Sequence, residues 1–204
     1  MSQKKIFLDC GTNFGQGLKQ FDKKFNLLNH PDWLIYCFEP NNNIKLCELF
    51  PNVRNITYKN KAVWIEDTIL EFRKQGHNKK KLTGLGSKLE CVEKKSNPAN
   101  CYFKLDRVVA IDFARFLQEL VIGHPDAEIY VKMDIEGAEF QVIDHLIHSN
   151  TIQYIKELYC ECHGRFRFSL NDQKLLETQI EIQRVENDLK KRVENCGVTF
   201  NFWH

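Results

Sequence analysis

The feature that most constrains the fold is an alternation of short apolar runs with segments of helical periodicity. The apolar runs have the length of buried strands, and they lie at residues 6–10, 33–38, 56–64, 129–133, 155–162 and 198–203. Between them, apolar residues recur every three or four positions, as on one face of a helix, at residues 16–28, 113–120, 140–147 and 172–195. Strands that alternate with helices form largely parallel sheets with helices on both faces. The sequence therefore predicts an α/β fold with a doubly wound, mostly parallel sheet.

A basic segment interrupts this alternation. Residues 73–104 contain nine Lys and Arg but only two Glu, and Gly and Pro residues punctuate them. A chain of 204 residues has the length of one domain. We therefore predict a single domain, 1–204, that carries a basic loop insertion at about residues 73–104.

Charge and hydropathy exclude several functional classes. The 29 Lys and Arg against 27 Asp and Glu leave a net charge of +2, which argues against a general nucleic-acid binder. No uncharged apolar run approaches the ~18–20 residues that cross a bilayer, so we expect no membrane span. At the N-terminus, Lys4 and Lys5 precede only three apolar residues before Asp9, which is too short for the core of a signal peptide.

The cysteines indicate a reducing compartment. Of the eight, Cys10, Cys37 and Cys160 lie inside apolar runs, where a free thiol behaves as a small apolar side chain. We therefore expect a cytoplasmic protein with reduced core cysteines. The string Cys160-Glu161-Cys162-His163 leaves a zinc site open as an alternative, although its Cys-x-Cys spacing is not the Cys-x-x-Cys of zinc modules.

Polar residues and glycines cluster where the predicted strands end. In a doubly wound sheet, ligands bind beyond the carboxyl ends of the strands. Glu39 closes the second strand, and a carboxylate there can accept hydrogen bonds from both hydroxyls of a ribose. The alternative for Glu39 is a surface carboxylate before the turn at Pro40. The first strand ends in a glycine-rich turn whose spacing is not the Gly-x-Gly-x-x-Gly of dinucleotide-binding enzymes, Asp9-Cys10-Gly11-Thr12-Asn13-Phe14-Gly15.

Three segments together resemble a known family. They are Phe7 to Gly15, Phe38-Glu39-Pro40-Asn41 and Val131-Lys132-Met133-Asp134-Ile135-Glu136-Gly137-Ala138-Glu139-Phe140. In this order they look like the successive motifs of the FkbM-like methyltransferases. That family is a branch of the S-adenosylmethionine-dependent enzymes with a Rossmann-like fold of the class I methyltransferase type. Further matches are Gly84-Leu85-Gly86-Ser87, which resembles the Gly/Ser-rich loop of the family, and Val109 to Phe113, so that the resemblance covers residues 6 to about 163.

The resemblance implies which residues bind the cofactor. Glu39 would bind the ribose of S-adenosylmethionine, Pro40 and Asn41 would flank the adenosine, and Ala62 and Val63 would line the adenine slot. The residues around the methionine part would be Asp9, Cys10, Gly11, Thr12, Asn13, Phe14 and Gly15. The implied reaction is O-methyl transfer to a hydroxyl of a small-molecule or glycan acceptor, which we expect to be a sugar.

Methyl transfer to a hydroxyl requires a base that takes up its proton, or a cation that lowers its pKa. Asp134, Glu161 and His163 lie at the ends of neighbouring predicted strands and are expected to converge above the sheet. In one mechanism, which we favour, His163 is the base and Glu161 or Asp134 orients its ring. In the other, these three residues hold a divalent cation such as Mg²⁺ or Mn²⁺. Lys132 either contacts the substrate or pairs with Asp134.

Two further acidic residues follow Asp134 in the same motif. Glu139 lies in the first turn of a helix predicted over residues 136–148, where a carboxylate suits the positive end of the helix dipole. We therefore assign Glu139 that role, and Glu136 remains a candidate contact for the acceptor.

Two other functions stay open on the sequence. One is an RNA ribose O-methyltransferase in which residues 73–104 follow the phosphates, although the small net charge and the lack of aromatic residues among the lysines argue against nucleic acid as a partner. The other is a non-catalytic nucleotide-binding module that has kept the fold.

Overall fold

The computed structural model describes residues 3–76, 88–89, 102–164 and 175–203. Its strands, in chain order, are β1 (Lys5–Cys10), β2 (Trp33–Phe38), β3 (Ile56–Lys59), β4 (Ala62–Trp64), β5 (Thr68–Gly76), β6 (Lys88–Leu89), β7 (Tyr102–Asp112), β8 (Glu128–Met133), β9 (Ile155–Cys160) and β10 (Thr199–Phe202). Its helices are α1 (Gln16–Phe25), α2 (Leu46–Leu49), α3 (Phe113–Gly123), α4 (Glu139–His148) and α5 (Leu175–Glu194). No helix in these ranges is both long and apolar enough to span a bilayer.

Six strands form one sheet in the order β10-β9-β8-β1-β2-β3, and every neighbouring pair is parallel. Strands β2 and β3 follow β1 on one side of the sheet, and β8, β9 and β10 lie on the other side of β1. The strand order therefore reverses between β1 and β8, which is the switch point where ligands bind in doubly wound sheets. This topology confirms the predicted α/β fold.

Both faces of this sheet are buried. Along β1, Ile6 and Leu8 belong to the core on one face and Phe7 to the core on the other, because side chains alternate along a strand. Helices α3, α4 and α5 contribute to the first core, whereas α1 contributes Leu18 and Phe21 to the second. Strands that are buried on both faces appear in the sequence as continuous apolar runs, which is the pattern from which they were predicted.

A second sheet has the order β4-β7-β5-β6. The predicted strand region 56–64 divides after Lys59 into β3, in the first sheet, and β4, which pairs with β7 in the second. Strands β5 and β7 pair antiparallel along their length, from Thr68 opposite Ala110 to Gly76 opposite Tyr102. Residues 73–76 and 102–104 were predicted to belong to the basic insertion, but they lie in β5 and β7. The part of the chain between these two strands is therefore shorter than the predicted insertion. Residues 77–87 and 90–101 lie outside the described part of the chain.

The buried face of α5 differs from the prediction at one position. The helical periodicity of residues 172–195 predicts an inward face formed by Leu175, Leu176, Ile180, Val185, Leu189 and Val193. Leu189 and Val193 are buried and Val185 packs against the core, but Ile180 is 59% exposed. Thr178, two residues earlier, is buried instead, and two residues turn a helix by about 200°. The inward prediction for Ile180 is therefore wrong, and the side chains of Leu175 and Leu176 lie outside the described ones.

Candidate functional site

The glycine-rich turn after β1 packs directly against the end of β8. Gly11 has a φ of +80°, and a Cβ added to it would lie 1.8 Å from the carbonyl oxygen of Asp134. The backbone N–H groups of Gly11 and Thr12 both donate to the carbonyl of Phe38 at 3.0 Å. A residue with a side chain cannot adopt this conformation at this distance, so glycine is required at position 11.

Glu39 lies beside this turn at the end of β2. Its carboxylate is almost fully buried, and its two oxygens accept hydrogen bonds from the backbone N–H groups of Asn13 at 2.9 Å and Asn41 at 2.8 Å. Burial raises the pKa of Glu39 to about 7, although the hydrogen bonds from these two N–H groups lower it. Each carboxylate oxygen has more than one lone pair, so Glu39 can also accept from two hydroxyl groups of a ligand.

A cleft opens at these strand ends. Half of the predicted cofactor residues line it, namely Gly11, Asn13, Glu39, Pro40, Ala62 and Val63. Of the other six, Asp9, Cys10, Thr12, Gly15 and Asn41 are buried and Phe14 is 42% exposed. The structure thus brings the turn, the Glu39 carboxylate and β4 to one cleft.

Further cleft residues were not predicted as cofactor ligands. They are Phe38, Lys61, Phe72, Asp134, Ile135 and Glu136. Phe72 belongs to β5 of the second sheet, which is remote in sequence from the motifs, and no local pattern indicates its position. Phe38 and Lys61 directly precede the predicted residues Glu39 and Ala62, so the predicted set of cofactor residues was one residue too narrow at each of these two places.

Lys132 connects the β1 turn to the end of β8. Its buried ammonium lies 2.7 Å from the carbonyl oxygen of Gly11, 3.3 Å from Asp9 Oδ1 and 3.4 Å from Asp134 Oδ2. Burial lowers the pKa of Lys132, but the carboxylates of Asp9 and Asp134 outweigh this and raise it above its usual value. Of the two predicted roles, the pairing with Asp134 is present. The buried position of Lys132 suits a positioning role rather than contact with a substrate.

The turn between β8 and α4 is built around Glu139. Glu136 and Gly137 both have positive φ, +55° and +103°. The fully buried carboxylate of Glu139 accepts from the backbone N–H groups of Ile135 at 2.8 Å and Gly137 at 2.9 Å. The predicted role of Glu139, to interact with the helix dipole, is therefore only part of what it does. Its carboxylate also accepts hydrogen bonds from the turn and contacts one further side chain.

That side chain is His163. Its Nδ1 lies 2.9 Å from Glu139 Oε1, whereas its Nε2 lies 3.6 Å from Glu136 Oε2 and 3.6 Å from Glu161 Oε1. Sequence reasoning expected Glu161 or Asp134 to orient the ring, but the closest carboxylate is that of Glu139. Burial lowers the pKa of His163, and the carboxylates of its neighbours outweigh this and raise it above its usual value.

Asp134, Glu136 and His163 converge. One potential ligand atom from each lies within 4.8 Å of the others. The predicted set contained Glu161 in place of Glu136, and the positive φ of Glu136 is the conformational feature that the sequence did not indicate. Among the described residues, neither Cys160 nor Cys162 belongs to such a group, although their sulfur atoms are 3.5 Å apart. The Gly84–Ser87 loop lies outside the described residues.

Comparison with known proteins gives one match. A family model described as the methyltransferase FkbM domain matches residues 9–176, which is most of the chain. The match begins in the β1 turn and extends beyond His163, so it includes every residue of the site. Searches of curated proteins and of solved structures returned no match.

Proposed function

Because the chain belongs to the FkbM methyltransferase family, we propose that it transfers a methyl group from S-adenosylmethionine to a hydroxyl group of a sugar or glycan. The observation that carries the proposal is one continuous cleft that contains the Glu39 carboxylate, suited to a ribose, together with Asp134 and Glu136. The choice of a sugar rests on the family resemblance, since a fold does not specify an acceptor.

The cleft residues fit the proposed methyl donor. Glu39 offers two carboxylate oxygens to the ribose hydroxyls, and Ala62 and Val63 offer apolar contacts to a flat base. Asn13 supports the fit independently, because its Oδ1 atom is buried and has no hydrogen-bond partner among the described residues. A buried amide oxygen without a donor is costly, and an ammonium or hydroxyl group of a ligand in the cleft would satisfy it.

S-adenosylmethionine would supply a methyl group on a sulfonium, and its transfer to an acceptor oxygen would form the O–C bond, break the C–S bond and release the hydroxyl proton. The protein must hold the three atoms nearly in line and receive that proton. Asp134 and Glu136 line the same cleft as Glu39. We propose that these carboxylates, together with the neighbouring His163, hold the acceptor hydroxyl and receive its proton.

Replacing Glu39 with alanine should weaken S-adenosylmethionine binding by about a hundredfold or more. The variant loses hydrogen bonds from the ribose hydroxyls to a charged group, each worth about 1.5–3 kcal/mol. Isothermal titration calorimetry measures the loss. The matched control is Glu48→Ala, which removes an exposed glutamate and should bind as wild type does. Equal affinity of Glu39→Ala and wild type would remove the ribose assignment.

Binding of an adenosyl ligand should also depend on pH. Since the pKa of Glu39 is about 7, its carboxylate is mostly charged at pH 8 and mostly protonated at pH 6. Ribose hydroxyls donate to the charged form, so affinity should fall about tenfold as the pH is lowered from 8 to 6. A suitable probe is 5′-methylthioadenosine, which has no group of its own that titrates in this range. Glu39→Gln should show no such dependence, and a flat wild-type profile would contradict the account.

The acceptor class is tested by mass spectrometry after incubation with S-adenosylmethionine and a panel of saccharides. We expect a gain of one methyl group on a sugar hydroxyl, and its loss in Asp134→Asn. Methylation of RNA but not of saccharides would replace the sugar with the RNA alternative. Cofactor binding without any methylated product would instead favour the non-catalytic module.

A further inference from the structure

We propose that Asp134, Glu136 and His163 form a binding site for one divalent cation, of the Mn²⁺ or Mg²⁺ type, that holds the acceptor hydroxyl. The role in catalysis rests on the proposed function, whereas the site itself rests on its geometry. One ligand atom from each residue lies within 4.8 Å of the others. The distance of 3.6 Å between His163 Nε2 and Glu136 Oε2 is short enough for both atoms to contact one ion at about 2.0–2.2 Å.

The imidazole ring of His163 is held in the orientation that ligation requires. Its Nδ1 lies 2.9 Å from Glu139 Oε1, and Glu139 is itself fixed by the backbone N–H groups of Ile135 and Gly137. A histidine that binds a metal through Nε2 commonly donates its Nδ1–H to such a carboxylate. The Nε2 atom is thereby directed at the carboxylates of Glu136 and Glu161.

The charges around His163 Nε2 favour a cation. Glu136 and Glu161 both approach this atom to 3.6 Å, and Asp134 completes the group. Among the described residues, Lys132 pairs with Asp134, and its ammonium is shared with Asp9. Carboxylates that are close together repel one another, and a divalent cation between them removes that repulsion. Carboxylate oxygens with one imidazole suit Mn²⁺, and carboxylates alone suit Mg²⁺.

The group is also open on the side where an acceptor would bind. Asp134 and Glu136 line the cleft, so coordination positions remain available to a hydroxyl group. His163 is only 3% exposed, whereas Glu161 is 33% exposed, so the geometry favours ligation by His163 over direct proton transfer to its ring. A bound cation lowers the pKa of a coordinated hydroxyl, and the partly exposed carboxylate of Glu161 can take up the released proton.

Titration of the full chain with Mn²⁺ alone, followed by electron paramagnetic resonance, tests the site without any methyl donor or acceptor. We expect one saturable site in the wild type and at least a tenfold loss of affinity in Asp134→Asn and in Glu136→Gln. Glu139→Gln should weaken binding by about tenfold to a hundredfold, because Glu139 holds the ring of His163 in place without contacting the ion itself. The matched control, His145→Gln, removes an imidazole that pairs with Asp112 outside this group, and it should bind as wild type does.

Thermal unfolding verifies that each variant folds, and Mn²⁺ should raise the Tm of the wild type but not that of Asp134→Asn. A wild type that binds no Mn²⁺, or equal binding by all variants, would overturn the cation site. If S-adenosylmethionine binds and Mn²⁺ does not, the cation site fails and the proposed methyl transfer stands. If Mn²⁺ binds at these residues and S-adenosylmethionine does not, the cation site stands and the proposed function fails.

Discussion

Gly11→Ala is expected to destabilise the protein by more than about 4 kcal/mol and to abolish S-adenosylmethionine binding. The added Cβ would lie 1.8 Å from the Asp134 carbonyl oxygen, and an alanine would also be strained at a φ of +80°. The clashing atom belongs to the backbone at the end of β8, so the clash can be relieved only if the ends of β1 and β8 move apart. Urea unfolding measures the loss, which for a protein of ordinary stability is a large part of the total.

Gly123→Ala is the matched control for this substitution. Gly123 is the last residue of α3, and a Cβ there meets no atom within 4 Å among the described residues. Alanine is favoured over glycine in a helix by about 0.5–1 kcal/mol, so this variant should be as stable as wild type or slightly more stable. A Gly11→Ala protein that matched Gly123→Ala in stability and bound the cofactor would contradict the described packing of the turn.

Lys132→Met is expected to cost about 3–5 kcal/mol, because it leaves the fully buried carboxylate of Asp9 without its counter-ion. Burial already raises the pKa of Asp9, and the variant loses the ammonium that lowers it. Asp9 can then take up a proton more readily, so the loss in stability should be smaller at pH 5 than at pH 8. Denaturant unfolding at both pH values measures this difference.

Two further variants show how much of this loss in stability comes from the buried pair of Lys132 and Asp9. Adding Asp9→Asn to Lys132→Met removes the unpaired charge and should recover part of the lost stability. Lys45→Met breaks the exposed pair with Glu48 and should cost less than about 1 kcal/mol. If Lys132→Met were no more harmful than Lys45→Met, Lys132 would not connect the β1 turn to the β8 end as described.

Features that depend on local pattern were predictable from the sequence. The strands of the large sheet are buried on both faces, so they appear as apolar runs, and their alternation with helices predicts the parallel topology. Gly11 and Glu39 were predicted as site residues because a glycine turn and an acidic residue follow the first two strands, where ligands bind in this fold, and both line the cleft.

Features that depend on contacts between distant elements were not predictable. Glu139 lies in a position that suits a helix dipole, and nothing near it in sequence indicates its contact with His163, 24 residues away. Glu136 joins Asp134 and His163 because its backbone adopts a positive φ, which is uncommon for residues with a side chain. Phe72 reaches the cleft from a sheet whose strands the sequence shows only in part.

A crystal structure of the protein with S-adenosylhomocysteine tests the central claim most directly. The account predicts the ribose hydroxyls within hydrogen-bond distance of the Glu39 carboxylate, the adenine against Ala62 and Val63, and the sulfur atom on the side of Asp134. A nucleoside bound outside this cleft, or one whose ribose does not contact Glu39, would contradict it.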